Sequence, residues 1–231
     1  MRLDLFYFKN AFTLAEVLIT LGIIGIVAAM TIPNLIMANE KRVAVTRLQK
    51  AISVLNQAYK SSFDDNGEPA SAYALGSEQY FHEYWEPYIK IHTYCTDYMI
   101  CGYSSNKPFT QANKLVANWS LVLPTARATF YTMDGFLYQI STGASYNADG
   151  TIAEDKDKVL LVDINGSRKP NRMGHDVFVL QRIPDGGGVQ PYGNKSDNES
   201  IDKGCSNKGV GWTCAEKIRR AGWKIEKDYP W

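Results

Sequence analysis

The chain has 231 residues with 25 Lys plus Arg against 24 Asp plus Glu, a formal net charge of +1. That balance excludes a strongly basic, nucleic-acid-coating chain, and an apolar content of 45% is enough to build one ordinary core. Residues 1–11 form a leader charged at Arg2, Asp4 and Lys9, whose net positive charge favours the cytoplasmic side of a membrane. No charge then occurs from Val17 to Asn39. A helix over that run is about 34 Å long, against a hydrocarbon core of about 30 Å, so the segment is a candidate membrane span. Glu16 stands alone at its start, where an ionised carboxylate costs up to about 2.5–3.5 kcal/mol at mid-membrane and less near the interface. Such a group needs a partner.

The stretch Lys9-Asn10-Ala11-Phe12-Thr13-Leu14-Ala15-Glu16-Val17-Leu18-Ile19-Thr20-Leu21 resembles the prepilin processing motif of type IV pilins and type II secretion pseudopilins. The resemblance implies cleavage between Ala11 and Phe12 by a prepilin peptidase, followed by N-methylation of Phe12. It also implies that Glu16 pairs with the N-terminal ammonium of a neighbouring subunit, which offsets desolvation and sets axial register. Pro33 falls where many members of that family have a helix-breaking proline, so loosening is expected near Met30 to Asn34. The chain departs from the family at Ala11, where glycine is usual. Two rival readings of the same segment are a signal-peptidase site at Val27-Ala28-Ala29 and a plain single-span anchor.

After the span, Leu48, Ala51, Ile52, Leu55, Ala58, Tyr59 and Phe63 recur at three- and four-residue steps, which continues the helix in amphipathic form to about Phe63. Asp64-Asp65-Asn66-Gly67 ends it. Tyr80, Phe81, Tyr84, Trp85, Tyr88 and Ile89 predict a second helix from about Ser77, shortened or kinked at Pro87. Residues 128–132 and 136–140, joined through Asp134-Gly135, read as a hairpin with a tight primed turn; 159–164 and 177–183 read as two further strands. Asp185-Gly186-Gly187-Gly188-Val189 reads as a flexible loop, since a phosphate cradle would need a strand before it and a helix after it. Thr213-Cys214-Ala215-Glu216 has capping-box spacing for a last helix that Gly222 closes. The expected fold is α+β and pilin-like: a long N-terminal helix, membrane half plus amphipathic half, packed on an antiparallel sheet of about four strands. The expected divisions are a leader at 1–11, a transmembrane and polymerisation helix at 12–38, and a globular domain at 39–231.

Four cysteines allow three connectivities. Their short separations favour two local disulfide loops, Cys95 with Cys101 and Cys205 with Cys214, and neither pair has zinc-site spacing. Asp163, Asn165 and Asp176 are the best candidate cation ligands in the outer domain, and the segment is loosely similar to calcium loops of some pseudopilins. The competing reading is a tight turn in which Asn165-Gly166 supplies positive φ. His82, His92 and His175 have no metal-ligand spacing, and no catalytic arrangement emerges. Trp212, Trp223 and Trp231 read as packing residues or as subunit contacts. The functional expectation is a structural subunit, a minor pilin or pseudopilin, in the inner membrane with its C-terminal domain in the periplasm. Its partners would be like subunits, prepilin peptidase, the membrane and an inner-membrane assembly platform, and nucleic acid is not expected as a ligand. The alternative is a membrane-tethered periplasmic binding module that does not polymerise.

Overall fold

The computed structural model describes residues 12–68, 77–105, 107–116, 127–141, 145–146, 152–153 and 159–231. The chain divides into two compact units, with the boundary between Lys41 and Arg42. Helix α1 is assigned over Leu14–Asn66. Within the first unit its side chains are almost all exposed, as an apolar helix is when its natural surroundings are lipid or other helices.

In the second unit α1 turns amphipathic and buries Ala44, Val45, Leu48, Ala51, Leu55, Ala58, Tyr59 and Ser62. These follow the predicted stripe, except that Ile52 and Phe63 are only partly covered. α1 outruns the expected end by one turn. Gly67 then takes φ +75° and donates its amide to the Phe63 carbonyl at 2.9 Å, a left-handed cap that a Cβ would strain. Helix α2 (Ser77–Tyr84) passes into a 3₁₀ turn, Glu86–Tyr88, at Pro87.

Six antiparallel strands form the main sheet in the order β1-β2-β3-β6-β7-β8: β1 Ile91–Tyr94, β2 Arg127–Thr132, β3 Leu137–Ser141, β6 Val159–Asp163, β7 Val177–Ile183 and β8 Gly188–Pro191. Strands β4 (Ser145–Tyr146) and β5 (Ile152–Ala153) pair separately. The four expected strands are β2, β3, β6 and β7. The count rises to six because β1 is a short edge strand with a bulge and β8 follows a glycine-rich turn. Residues 185–188 therefore make a hairpin turn, with Asp185, Gly186 and Gly188 at positive φ, rather than a flexible loop. The turn at Asp134-Gly135 is also not the primed two-residue type. Gly135 alone has positive φ, and its amide reaches the Thr132 carbonyl at 3.0 Å, the pattern of a longer turn ending in a left-handed glycine.

Both faces of the sheet are covered, which explains why β6 and β7 read as nearly continuous apolar runs. On one face Phe130, Tyr138, Leu160, Val162, Phe178 and Leu180 meet α1, α2 and the C-terminal helix α4 (Cys214–Arg220). On the other, Leu137, Leu161, Val177 and Val179 meet Cys95, Cys101, Tyr103, Val116 and Met173. The disulfides are Cys95–Cys101 and Cys205–Cys214, the two local loops. Thr213 and Glu216 do not form a capping box. The Thr213 hydroxyl donates to the Ile201 carbonyl at 2.9 Å, joining α4 to helix α3 (Asn198–Gly204), and Glu216 accepts from Arg219 and Arg220 at 2.7 Å.

Candidate assembly helix and a buried carboxylate turn

The capping box of this chain lies instead at the start of α1. Thr13 donates to Glu16 Oε2 from its backbone amide at 2.8 Å and from its hydroxyl at 2.7 Å. Glu16 N returns a hydrogen bond to Thr13 Oγ1 at 3.3 Å. Thr13 and Glu16 thus satisfy each other across the first turn, the reciprocal arrangement expected of Ser/Thr three residues before Glu. Glu16 remains exposed, as does Phe12 at 84%. Leu14, Leu18, Ile19, Leu21, Ile23 and Ile24 are all more than half exposed around it, so one carboxylate sits amid a continuous apolar surface. Pro33 lies inside α1, within the stretch where loosening is expected. Its missing amide is a local defect, flanked by side-chain bonds from Thr31 Oγ1 to the Val27 carbonyl at 2.9 Å and from Asn34 Nδ2 to the Met30 carbonyl at 3.2 Å. Ala11 lies outside the described residues.

Residues 8–32 match the family described as the prokaryotic N-terminal methylation motif. The chain carries the type IV pilin and pseudopilin signature. Comparisons with curated proteins and with solved structures return no match. The signature, together with the one helix among the described residues that is apolar and long enough to cross a membrane, gives the N-terminal segment pilin-like features suited to a single-pass anchor. In general such a motif implies processing by a prepilin peptidase and company with pilin-like subunits.

The second candidate site joins Asp163 at the end of β6 to Asp176 just before β7. Asp163 is fully buried; its Oδ1 accepts the Asn165 amide at 3.1 Å and its Oδ2 accepts the Tyr103 hydroxyl. Asp176 Oδ1 accepts the Arg172 amide at 2.6 Å, while Oδ2 accepts the Asn171 amide at 2.8 Å and Asn165 Nδ2 at 3.2 Å. Burial, with Asp176 nearby, holds the Asp163 carboxyl well above the usual carboxylate range. Burial likewise pushes Asp176 up to about 6, against the downward pull of the Arg172 and Asn171 amides. His175 is held down at about 4 by burial and by Arg172, and its ring stacks on Trp231 at 3.9 Å.

Every carboxylate oxygen here already accepts a hydrogen bond from protein. The remaining buried acceptors without a protein donor, Asn165 Oδ1 and Asn171 Oδ1, fall short of the roughly six to eight oxygens that calcium gathers. Among the described residues no three His, Cys, Asp or Glu side chains converge as ligands. Asp163, Asn165 and Asp176 form a hydrogen-bonded turn here, with Gly166 at φ +70°. Adding millimolar calcium or a chelator should leave the melting temperature unchanged within error; a calcium-dependent rise of several degrees that Asp163→Asn removes would reverse this reading. Tyr103 had no local signal to mark it, being 60 residues from Asp163 in sequence. The tryptophans pack: Trp212 against the Cys95–Cys101 side of the sheet, Trp223 and Trp231 against the helical side.

Proposed function

We propose that the protein is a minor pilin or pseudopilin, built into a type II secretion pseudopilus or a type IV pilus. On this reading prepilin peptidase cuts between Ala11 and Phe12, the new Phe12 amine is methylated, and residues 12–38 hold the chain in the inner membrane with the domain in the periplasm. An ATP-driven assembly platform then extracts it into a filament. The observation that carries the reading is the matched segment 8–32 together with the single carboxylate, Glu16, in the exposed stretch of α1 that has no other charge before Glu40. Among the described residues Glu16 is bonded by Thr13. In a filament the free ammonium of a neighbouring Phe12 would add the opposite charge in a low-dielectric setting, where pairing counts most.

Two measurements test it. Mass spectrometry of the N-terminal peptide from native membranes should find methylated Phe12; an intact Met1 would mean a plain anchor, and a start at Met30 a released domain. Glu16→Ala should abolish incorporation into sheared filaments or pseudopili while the melting temperature of the domain stays put. Normal incorporation of that variant would refute the register role and favour a tethered module that never polymerises.

A further inference from the structure

The near-zero net charge of the chain hides a segregation. On the sheet face opposite α1, the segment after the Cys95–Cys101 loop runs beside the turn between β6 and β7: Phe109 bridges to Arg172, and the Tyr131 hydroxyl donates to the Cys101 carbonyl at 2.8 Å and accepts the Ser167 amide at 2.9 Å. The bridges from Phe109 to Leu115 and Arg172 set the segment that carries Lys107 and Lys114 beside the turn that carries Arg168, Lys169 and Arg172. Among the described residues the half-buried Asp97 is the surface acid in these two segments, because Asp163 and Asp176 are buried beneath the turn, and none of the five cations is in an ion pair with a described residue.

The opposite sign collects on the helical side. Glu78 and Glu83 project from α2 and Glu86 from the turn after it, with His82 contacting both Glu78 and Glu86. Tyr88 ties that turn to the end of α1 by donating to Asp65 at 3.0 Å, next to the exposed Asp64. Glu68 accepts the amide of Asp185 at 2.9 Å, which extends the acidic zone to the β7–β8 turn. Within it Glu68 is paired with Arg182, and Lys60 and Lys90 are the exposed cations, so acids predominate.

Two complementary patches on different layers of one domain suit a head-to-tail contact, which is heterologous and propagates instead of closing as a two-fold dimer would. We infer that the basic patch around Arg168 and Lys169 docks on the acidic patch of α2 in a second copy of this chain. The contact rests on the filament reading for its setting but uses surfaces that the N-terminal motif does not contain. Exposed charges of this kind steer association and fix register, and they weaken with salt.

The test is zero-length carbodiimide cross-linking of the full chain in native membranes at low salt, read as dimer yield and as linked peptides. Wild type should give dimers joining Lys169 or Lys114 to Glu78, Glu83 or Glu86. The variants Arg168→Glu/Lys169→Glu and Glu78→Lys/Glu83→Lys should each lower the yield about ten-fold, and combining them should restore it. Dimers insensitive to both reversals, or absent from wild type, would overturn the inference. Losses that the combined variant fails to recover would also overturn it, by assigning the patches to another partner. An N-terminus left unprocessed alongside charge-dependent dimers would sink the filament reading and leave this contact standing; processed chain with charge-insensitive dimers would do the reverse.

Discussion

Leu48→Ala should lower the unfolding free energy of the globular unit by about 2–5 kcal/mol, and Leu55→Ala by a similar amount. Both side chains are completely buried where the outer part of α1 meets the sheet. Each truncation loses about 1.5–3 kcal/mol of transfer free energy and adds the cost of whatever cavity the neighbours cannot close. Phe130, Tyr138 and Trp85 are themselves fully buried and share the same cluster, which limits relaxation into the space. Against a typical total of about 5–15 kcal/mol, either loss is a large fraction. Urea unfolding of detergent-solubilised chain, followed by tryptophan fluorescence, measures it. Leu35→Ala is the control, being 68% exposed in the first unit, and should not shift the midpoint. A shift below about 1 kcal/mol for Leu48→Ala would mean that this helix face is not the core.

Asp176→Ala should cost about 2–4 kcal/mol, and its penalty should grow as the pH is lowered. The substitution strands three donors, the amides of Asn171 and Arg172 and the Asn165 side chain. Relief from holding a buried carboxylate offsets part of that loss. The pH dependence follows from burial, which raises Asp176 from an unfolded value of about 3.9 to about 6. The folded protein therefore binds this proton more tightly than the unfolded chain. The stabilisation linked to it is fully present below pH about 4 and is lost as the pH rises through about 6. Asp163, raised by burial and by Asp176, follows the same sign, and removing Asp176 relaxes it as well. His175, held at about 4, slopes the other way but is present in both proteins, so it largely cancels in the difference. Chemical denaturation of both proteins at pH 4.5, 6 and 8 checks the trend. A penalty that is flat or that shrinks toward acid would show that the turn holds an ionised carboxylate without strain.

What could be read from the sequence was whatever had a local period. The stripe Leu48, Ala51, Leu55, Ala58 and Tyr59 repeats with the helix, and β2, β3, β6 and β7 are runs of β-formers bounded by turn residues, so they were legible. β8 begins at a glycine and β1 is half exposed, and neither pattern separates an edge strand from a loop. The two capping-box spacings show the limit most clearly. Thr13 with Glu16 and Thr213 with Glu216 are equally good on paper, and the first forms the box, with no competing partner for either side chain among the described residues. In the second, Arg219 and Arg220 sit one turn on and take the glutamate, while a distant carbonyl takes the threonine. At the candidate site, the acids of the β6–β7 turn were visible as a cluster, but Tyr103 and the backbone amides that consume their lone pairs were not. Composition also concealed the charge segregation, because a sum near zero carries no information about position.

The placement of the two disulfides has a mechanical consequence. Each closes a short loop, with sequence separations of 6 and 9, and neither includes a residue of α1. Among the described residues, tension applied along α1 would reach the sheet through no disulfide but through non-covalent contacts: the buried stripe from Ala44 to Ser62, the Lys50–Asp134 pair at 3.0 Å, and the bonds of Asn56 to Val189 and of Tyr59 to Ile183 and Gly186. Under load, the helix would peel from the sheet before either cystine bore any strain, and oxidation would stiffen the far loops without strengthening the joint that carries the pull.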